Sequence, residues 1–259
     1  MNLLRSTWAT ASFEVRRSMS MQRLMVASVL AGFPPAMVAV IGLSGGGVPL
    51  TDLLIIVLVG IVGLLAQLLW ATSNVFTELE GKSWIFLASR PRGRISLFLG
   101  KYVSAVAFSF AVCFVAVTLS IVFRTYLLTT EINPIRNWIG MIGSSLLACM
   151  VYSAIFSVIG TIFQKRAMVF AAGYIIMSEM ILANVPAIIG RFTARFHLQA
   201  VAAEWIGWFH PVPEDAFEQL FGKASQWFHL SCLGGAVVAL LIIGCVVITT
   251  REYITAEEA

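Results

Sequence analysis

Long uncharged apolar runs alternate with short charged islands along this chain, and the lengths of those runs predict its elements. About 20 consecutive apolar residues cross the hydrocarbon core of a bilayer. Runs of that size lie at Leu24–Leu43, Leu53–Phe76, Tyr102–Phe123, Trp138–Phe163, Ala167–Ile189 and Phe228–Thr250. The first contains Pro34-Pro35, which predicts a kink, and Ser44–Thr51 then makes a tight turn. The pattern predicts an all-α polytopic membrane protein of six transmembrane helices with both termini on one side. Residues 1–23 precede the membrane domain, 24–250 form it, and 251–259 are a tail.

The stretches between the runs also carry helical periodicity. Leu4, Trp8, Ala11 and Val15 recur at helical spacing with arginines elsewhere around the wheel. That suits a helix lying in the interface before the first span, and a basic tail is the alternative. Arg16, Arg17 and Arg23 lie too far in for a cleaved signal peptide, and no small-residue cleavage site follows. Residues 190–227 form the longest non-spanning stretch. Leu198, Val201, Ala202, Trp205 and Phe209 mark one short amphipathic helix, and His210-Pro211-Val212-Pro213 breaks it. Glu214-Asp215 opens a second helix with Phe217, Leu220 and Phe221, stopped by Gly222. These helices either rest on the headgroups as anchors or dip between the spans, where Trp205, Phe209 and Phe217 would line an outer gate.

Composition agrees with the run lengths. Hydrophobic residues are 59% of the 259, charged residues 12%, and mean hydropathy is +0.90. A soluble domain of this size would need more charge to cover its surface. The net charge of +4 does not signal nucleic acid, because the cations flank apolar segments and form no basic face with interleaved aromatics. Their distribution sets the orientation instead. Twelve cations (Arg5, Arg16, Arg17, Arg23, Lys82, Arg90, Arg92, Arg94, Lys101, Lys165, Arg166, Arg251) fall on one side. Five (Arg124, Arg136, Arg191, Arg195, Lys223) fall on the other. The positive-inside rule puts both termini in the cytoplasm, and the expected location is the cell (inner) membrane.

Candidate chemistry inside the spans is sparse. Glu179 is the one ionisable residue deep in a run, and Gln67 lies at similar depth, about 15–18 Å from its helix end. A carboxyl there faces the bundle interior or a watery cavity. It is either a neutral group hydrogen-bonded to Gln67 or another polar partner, or a contact for substrate or protons on a translocation pathway. Small residues at Gly140, Ser144 and Ala148, and at Ser153, Ser157 and Thr161, predict close helix packing within one subunit or between two. Cys113, Cys149, Cys232 and Cys245 fall inside spans and read as small apolar residues. His197, His210 and His229 show no HxxxH or HxxE spacing, and no metal site is expected. Gly81-Lys82-Ser83 matches the end of a phosphate-binding loop, but Phe76 stands at the first glycine and no strand precedes it. No hydrolytic motif is present, so no catalytic residue and no cofactor is assigned to this chain.

The charged island from Phe76 to Val103 is the most specific stretch. Five cations and the carboxylates Glu78 and Glu80 surround an amphipathic centre of Trp84, Ile85 and Leu87. A short cytoplasmic loop of this kind (78–101) is built to contact a soluble partner. Its order is Glu78-x-Glu80-Gly81, an apolar helix at 84–88, Pro91-Arg92-Gly93-Arg94, then Gly100-Lys101. In that order, and in the layout of the whole chain, the protein resembles the membrane-spanning permease subunits of type-2 ABC exporters. Lys82 departs from the small residue or threonine that often follows the acidic-glycine element. The resemblance implies a coupling helix carrying Glu78, Glu80, Gly81, Trp84, Leu87, Pro91, Arg92 and Arg94. It implies two separate ABC ATPase subunits, which hold the ATP and magnesium, and a second copy of this chain or a similar permease. Membrane lipids are the remaining partners. The competing classes are an intramembrane lipid-modifying enzyme and a non-transporting membrane scaffold. With no large outer domain, a small molecule, lipid, glycan or ion fits as cargo better than mechanical work on an external partner.

Overall fold

The computed structural model describes residues 3–44, 48–72, 78, 92–127, 134–163, 166–182, 191–206 and 225–251, with side chains at all of these except 3, 4, 48–54 and 58. Regular structure among the described residues is helical throughout. The helices are α1 Leu3–Ser18, α2 Met21–Leu43, α3 Val48–Ala71, α4 Gly93–Leu127 and α5 Pro134–Ile162. α6, Ala167–Tyr174, passes directly into a π-helix at Ile175–Ile181, and α7 (Ala194–Trp205) and α8 (Gln226–Thr250) follow. Four of them, α2, α4, α5 and α8, are long and apolar enough to cross a membrane. Ile55–Ala71 and Ala167–Ile181 are shorter apolar stretches. The chain is a multi-pass membrane protein.

Helix ends differ from the apolar runs for identifiable reasons. The runs place the third span from Tyr102, yet α4 extends unbroken over 35 residues from Gly93. Apolarity marks only the part that lipid touches. Gly93–Lys101 has no proline, so the backbone ladder continues through Arg94 and Lys101. Arg92 fixes the start with φ 62, and its carbonyl accepts from the Ser96 N–H at 3.0 Å. A non-glycine residue in that region costs about 1–3 kcal/mol, so the corner is held by its surroundings. α2 continues through Pro34-Pro35, both buried. α3 runs to Ala71; 73–76, expected within the second span, and 183–190, expected within the fifth, lie outside the described residues.

α5 is the centre of the bundle. Its best apolar window is 56% buried, against 22% for α2 and α8, which therefore run along the outside. Val62, Ala66, Trp70 and Ala71 of α3 pack with Ala105 and Val112 of α4, Tyr152 and Phe156 of α5, and Ala171 of α6. Trp70 stacks on Phe108, ring centroids 5.9 Å apart. The small residues of α5 are used within the chain. Ser153, Ser157 and Thr161 are fully buried, and Gly160 faces the Thr72 carbonyl so closely that a Cβ there would strike it. Gly140 faces the Trp205 carbonyl in the same way. Without an aqueous hydrophobic drive between helices, such backbone approach supplies the packing energy.

α1 lies against α4 and buries Ala11, Glu14 and Ser18. Trp8 and Phe13 stay 71% and 61% exposed. The buried stripe is thus offset from the apolar stripe read in the sequence, because Glu14 is drawn inward by a charge on α4.

Candidate functional site

That charge is Lys101. Its Nζ lies 2.8 Å from Oε1 of Glu78 and 3.5 Å from Oε1 of Glu14. Arg17 Nη1 donates to the same Glu78 oxygen at 3.0 Å and stands 3.8 Å from Glu14. Two carboxylates and two cations from three separate parts of the chain thus alternate in one cluster. The three-residue step from Glu14 to Arg17 puts both on one face of α1. Lys101 projects from α4 beside Gly100, where a Cβ would meet the Thr10 side chain and come within 3.0 Å of the Thr7 carbonyl. The bare glycine lets α1 close on α4 far enough for Glu14 to reach Lys101.

Burial makes this more than a surface ion pair. The Glu78 and Lys101 side chains are each only 5% exposed, whereas Arg17 is 41% exposed. Desolvating two charges offsets most of their attraction, so the pair adds little net stability. Its effect is positional, because neither charge can leave without stranding the other. Two arginines knit the same end of the bundle. Arg94 Nη1 donates to the Thr249 carbonyl at 3.2 Å, and Arg251 Nη1 donates to the Ile162 carbonyl. Each places a cation on the carbonyl end of a helix, where the helix dipole favours it.

Of the residues expected to dock a partner, Glu78, Arg92 and Arg94 are described; Glu80, Gly81, Trp84, Leu87 and Pro91 lie outside the described residues. Glu78 is turned inward into the cluster, Arg92 forms the exposed corner, and Arg94 caps α8. Glu78 is an anchor here.

A second polar group lies deep in the bundle. Glu179 sits in the π-helix and is 3% exposed. The Ser178 hydroxyl donates to its Oε1 at 2.9 Å, and the Tyr152 phenol of α5 faces the same carboxyl. Arg195 Nη1, from the first turn of α7, donates to the Glu179 backbone carbonyl at 2.6 Å. A π-helix is rare and tends to occur at functional positions, and this donor ties it to the first turn of α7. Gln67 is not part of the group. It is fully buried beside Cys149, and neither amide atom finds a nitrogen or oxygen partner among the described residues. The expected Glu179–Gln67 pair therefore does not form, and the carboxyl takes other polar partners.

α7 is inserted into the bundle, with Ala200, Val201 and Ala203 buried and its length packed against α5 and α8. Thr193 caps its start, accepting from the Phe196 N–H at 3.4 Å. Trp205 anchors its end, with Nε1 donating to Gln226 Oε1 at 3.2 Å and the ring against Gly143. Phe209 and Phe217, the other expected gate residues, lie outside the described residues. Near its start, His197 meets His229 of α8, Nδ1 to Nδ1 at 2.8 Å. Burial, then the neighbouring imidazole, pushes His197 below the usual histidine range.

Sequence reasoning did not find Glu14, Arg17 and Lys101 as partners of Glu78, nor Arg195, Tyr152 and the histidine pair. A lysine inside a helix that continues into an uncharged run was the available signal, because such a charge calls for a counter-ion. No protein-family model matches the chain, and no curated protein matches it.

Proposed function

We propose that this chain is the membrane-spanning permease subunit of an ATP-binding-cassette exporter, crossing the membrane six times with both termini in the cytoplasm. The buried Glu78–Lys101 pair, shared with Glu14 and Arg17, carries this reading. It ties the first residue of the acidic, glycine, apolar-helix, proline and basic series to α1 and to a 35-residue helix. A partner ATPase pushing on 79–91 would move α4 through Lys101 and α1 through Glu14 and Arg17. Coupling requires that closure of the partner favour one state of the bundle over the other, and a rigid joint transmits such a difference without loss. ATP and magnesium belong to the partner, and a second permease completes the pathway.

The test is purification of the tagged chain from its own membrane in mild detergent. An ATPase bearing a phosphate-binding loop should co-purify, its hydrolysis should rise in the complex, and Glu80→Lys with Trp84→Ala should weaken its association. Recovery of the folded chain with no ATPase bound would defeat the proposal. The Glu179, Tyr152 and Arg195 group favours a second reading, intramembrane acid–base chemistry on a lipid. Turnover of a lipid by the isolated chain would establish it.

A further inference from the structure

His197 and His229 are 32 positions apart in sequence, and docking α7 against α8 brings their Nδ1 atoms to 2.8 Å. We propose that they form a binding site for a divalent transition-metal ion of the zinc class, and that the bound ion clamps α7 to α8. Imidazole holds zinc at about 2.0–2.1 Å, so nitrogens at the observed 2.8 Å subtend an angle of about 85° at such an ion. That is close to two neighbouring positions of an octahedron. Opening the pair by about half an ångström would give the tetrahedral angle at the same bond length.

The tautomers allow it. Without an ion, one Nδ1 carries a proton and the other accepts it. With an ion, both rings carry their proton on Nε2 and both Nδ1 lone pairs face the metal, so neither ring changes charge. His229 is 3% exposed, and the Phe196 ring lies 5.4 Å from His197 and 5.8 Å from His229. Phe228 closes on both rings from α8, at 6.3 Å and 5.8 Å. These two phenyl rings limit how far the imidazoles can turn and leave the pair open to water on one side. His197, only half-buried, supplies that side. No third histidine, cysteine, aspartate or glutamate joins the pair among the described residues, so water fills the remaining positions and the ion exchanges. Occupancy would hold α7 in the bundle, and with it Arg195 on the Glu179 carbonyl.

The experiment titrates zinc sulfate into the full chain in detergent at neutral pH, by calorimetry and by thermal unfolding. One saturable site per chain and an upward shift of the unfolding midpoint are expected, both lost in His197→Gln and in His229→Gln. His229 is buried and its variant can fail to fold, in which case the half-exposed His197→Gln alone decides. Equal zinc responses in wild type and His197→Gln, or no saturable binding by wild type, would overturn the site and leave a hydrogen bond between two neutral rings. Neither result depends on an ATPase being present, so the zinc site can fail while the exporter reading stands.

Discussion

Lys101 and Glu78 hold each other in place with almost no water around them, and single and double substitutions there should behave very differently. Lys101→Met keeps the stem but leaves Glu78 and Glu14 sharing the partly exposed Arg17. Stranding a buried charge costs about 3–5 kcal/mol, so the unfolding midpoint should fall sharply. Lys101→Met with Glu78→Leu removes both charges and should recover most of that loss, because apolar replacement of a buried pair is often neutral. A double variant no more stable than Lys101→Met would refute the pairing. Glu179 calls for a different comparison. Glu179→Gln still accepts from Ser178, so folding should survive; Glu179→Leu removes that acceptor and should cost about 1 kcal/mol in a membrane bundle. Transport by a stable Glu179→Gln protein separates the roles, since a proton or cation site would lose it and a structural carboxyl would not. Depth was legible at this scale and azimuth was not. Gln67 and Glu179 occupy similar levels by counting residues, yet Gln67 faces Cys149 while Glu179 faces Tyr152.

α7 is held by contacts too tight for a side chain on its neighbour. A Cβ on Gly140 would meet the Trp205 carbonyl group and the Ile206 nitrogen, both backbone, so nothing soft can give way. Gly140→Ala should therefore cost about 1–3 kcal/mol, seen as a lower unfolding midpoint. Gly234→Ala on α8 is the control, since nothing lies within 4 Å of its Cβ and removing glycine from a helix interior stabilises by about 0.5–1 kcal/mol. If both variants unfold alike, the close approach is not what seats α7. The apolar runs showed where helices lie, and the heptad-like spacing of Leu198, Val201 and Trp205 showed a helix there too. Periodicity could not say whether its apolar face meets headgroups or protein, because both are apolar to one side. Nor does composition reveal the π-helix at Ile175–Ile181, which contains no proline or glycine.

At the scale of the whole molecule, Arg94, Arg251 and the Glu78 cluster crowd one end of the bundle, while Gly42 packs against Leu127 at the other. The positive-inside rule assigns the first end to the cytoplasm, and the coupling proposal requires that assignment. Exposed positions make it measurable. In a background with the four native cysteines replaced by alanine, single cysteines at Ser44 and Tyr126 should react with an impermeant maleimide added to intact cells. Cysteines at Arg5 and Arg166, exposed at the opposite end by the six-span count, should react only after the membrane is opened. Labelling of Arg5→Cys and Arg166→Cys from outside, with Ser44→Cys protected, would invert the protein and put residues 79–91 beyond the reach of any cytoplasmic ATPase. Labelling of Arg166→Cys from outside with Arg5→Cys protected would instead break the six-span count between α1 and α6.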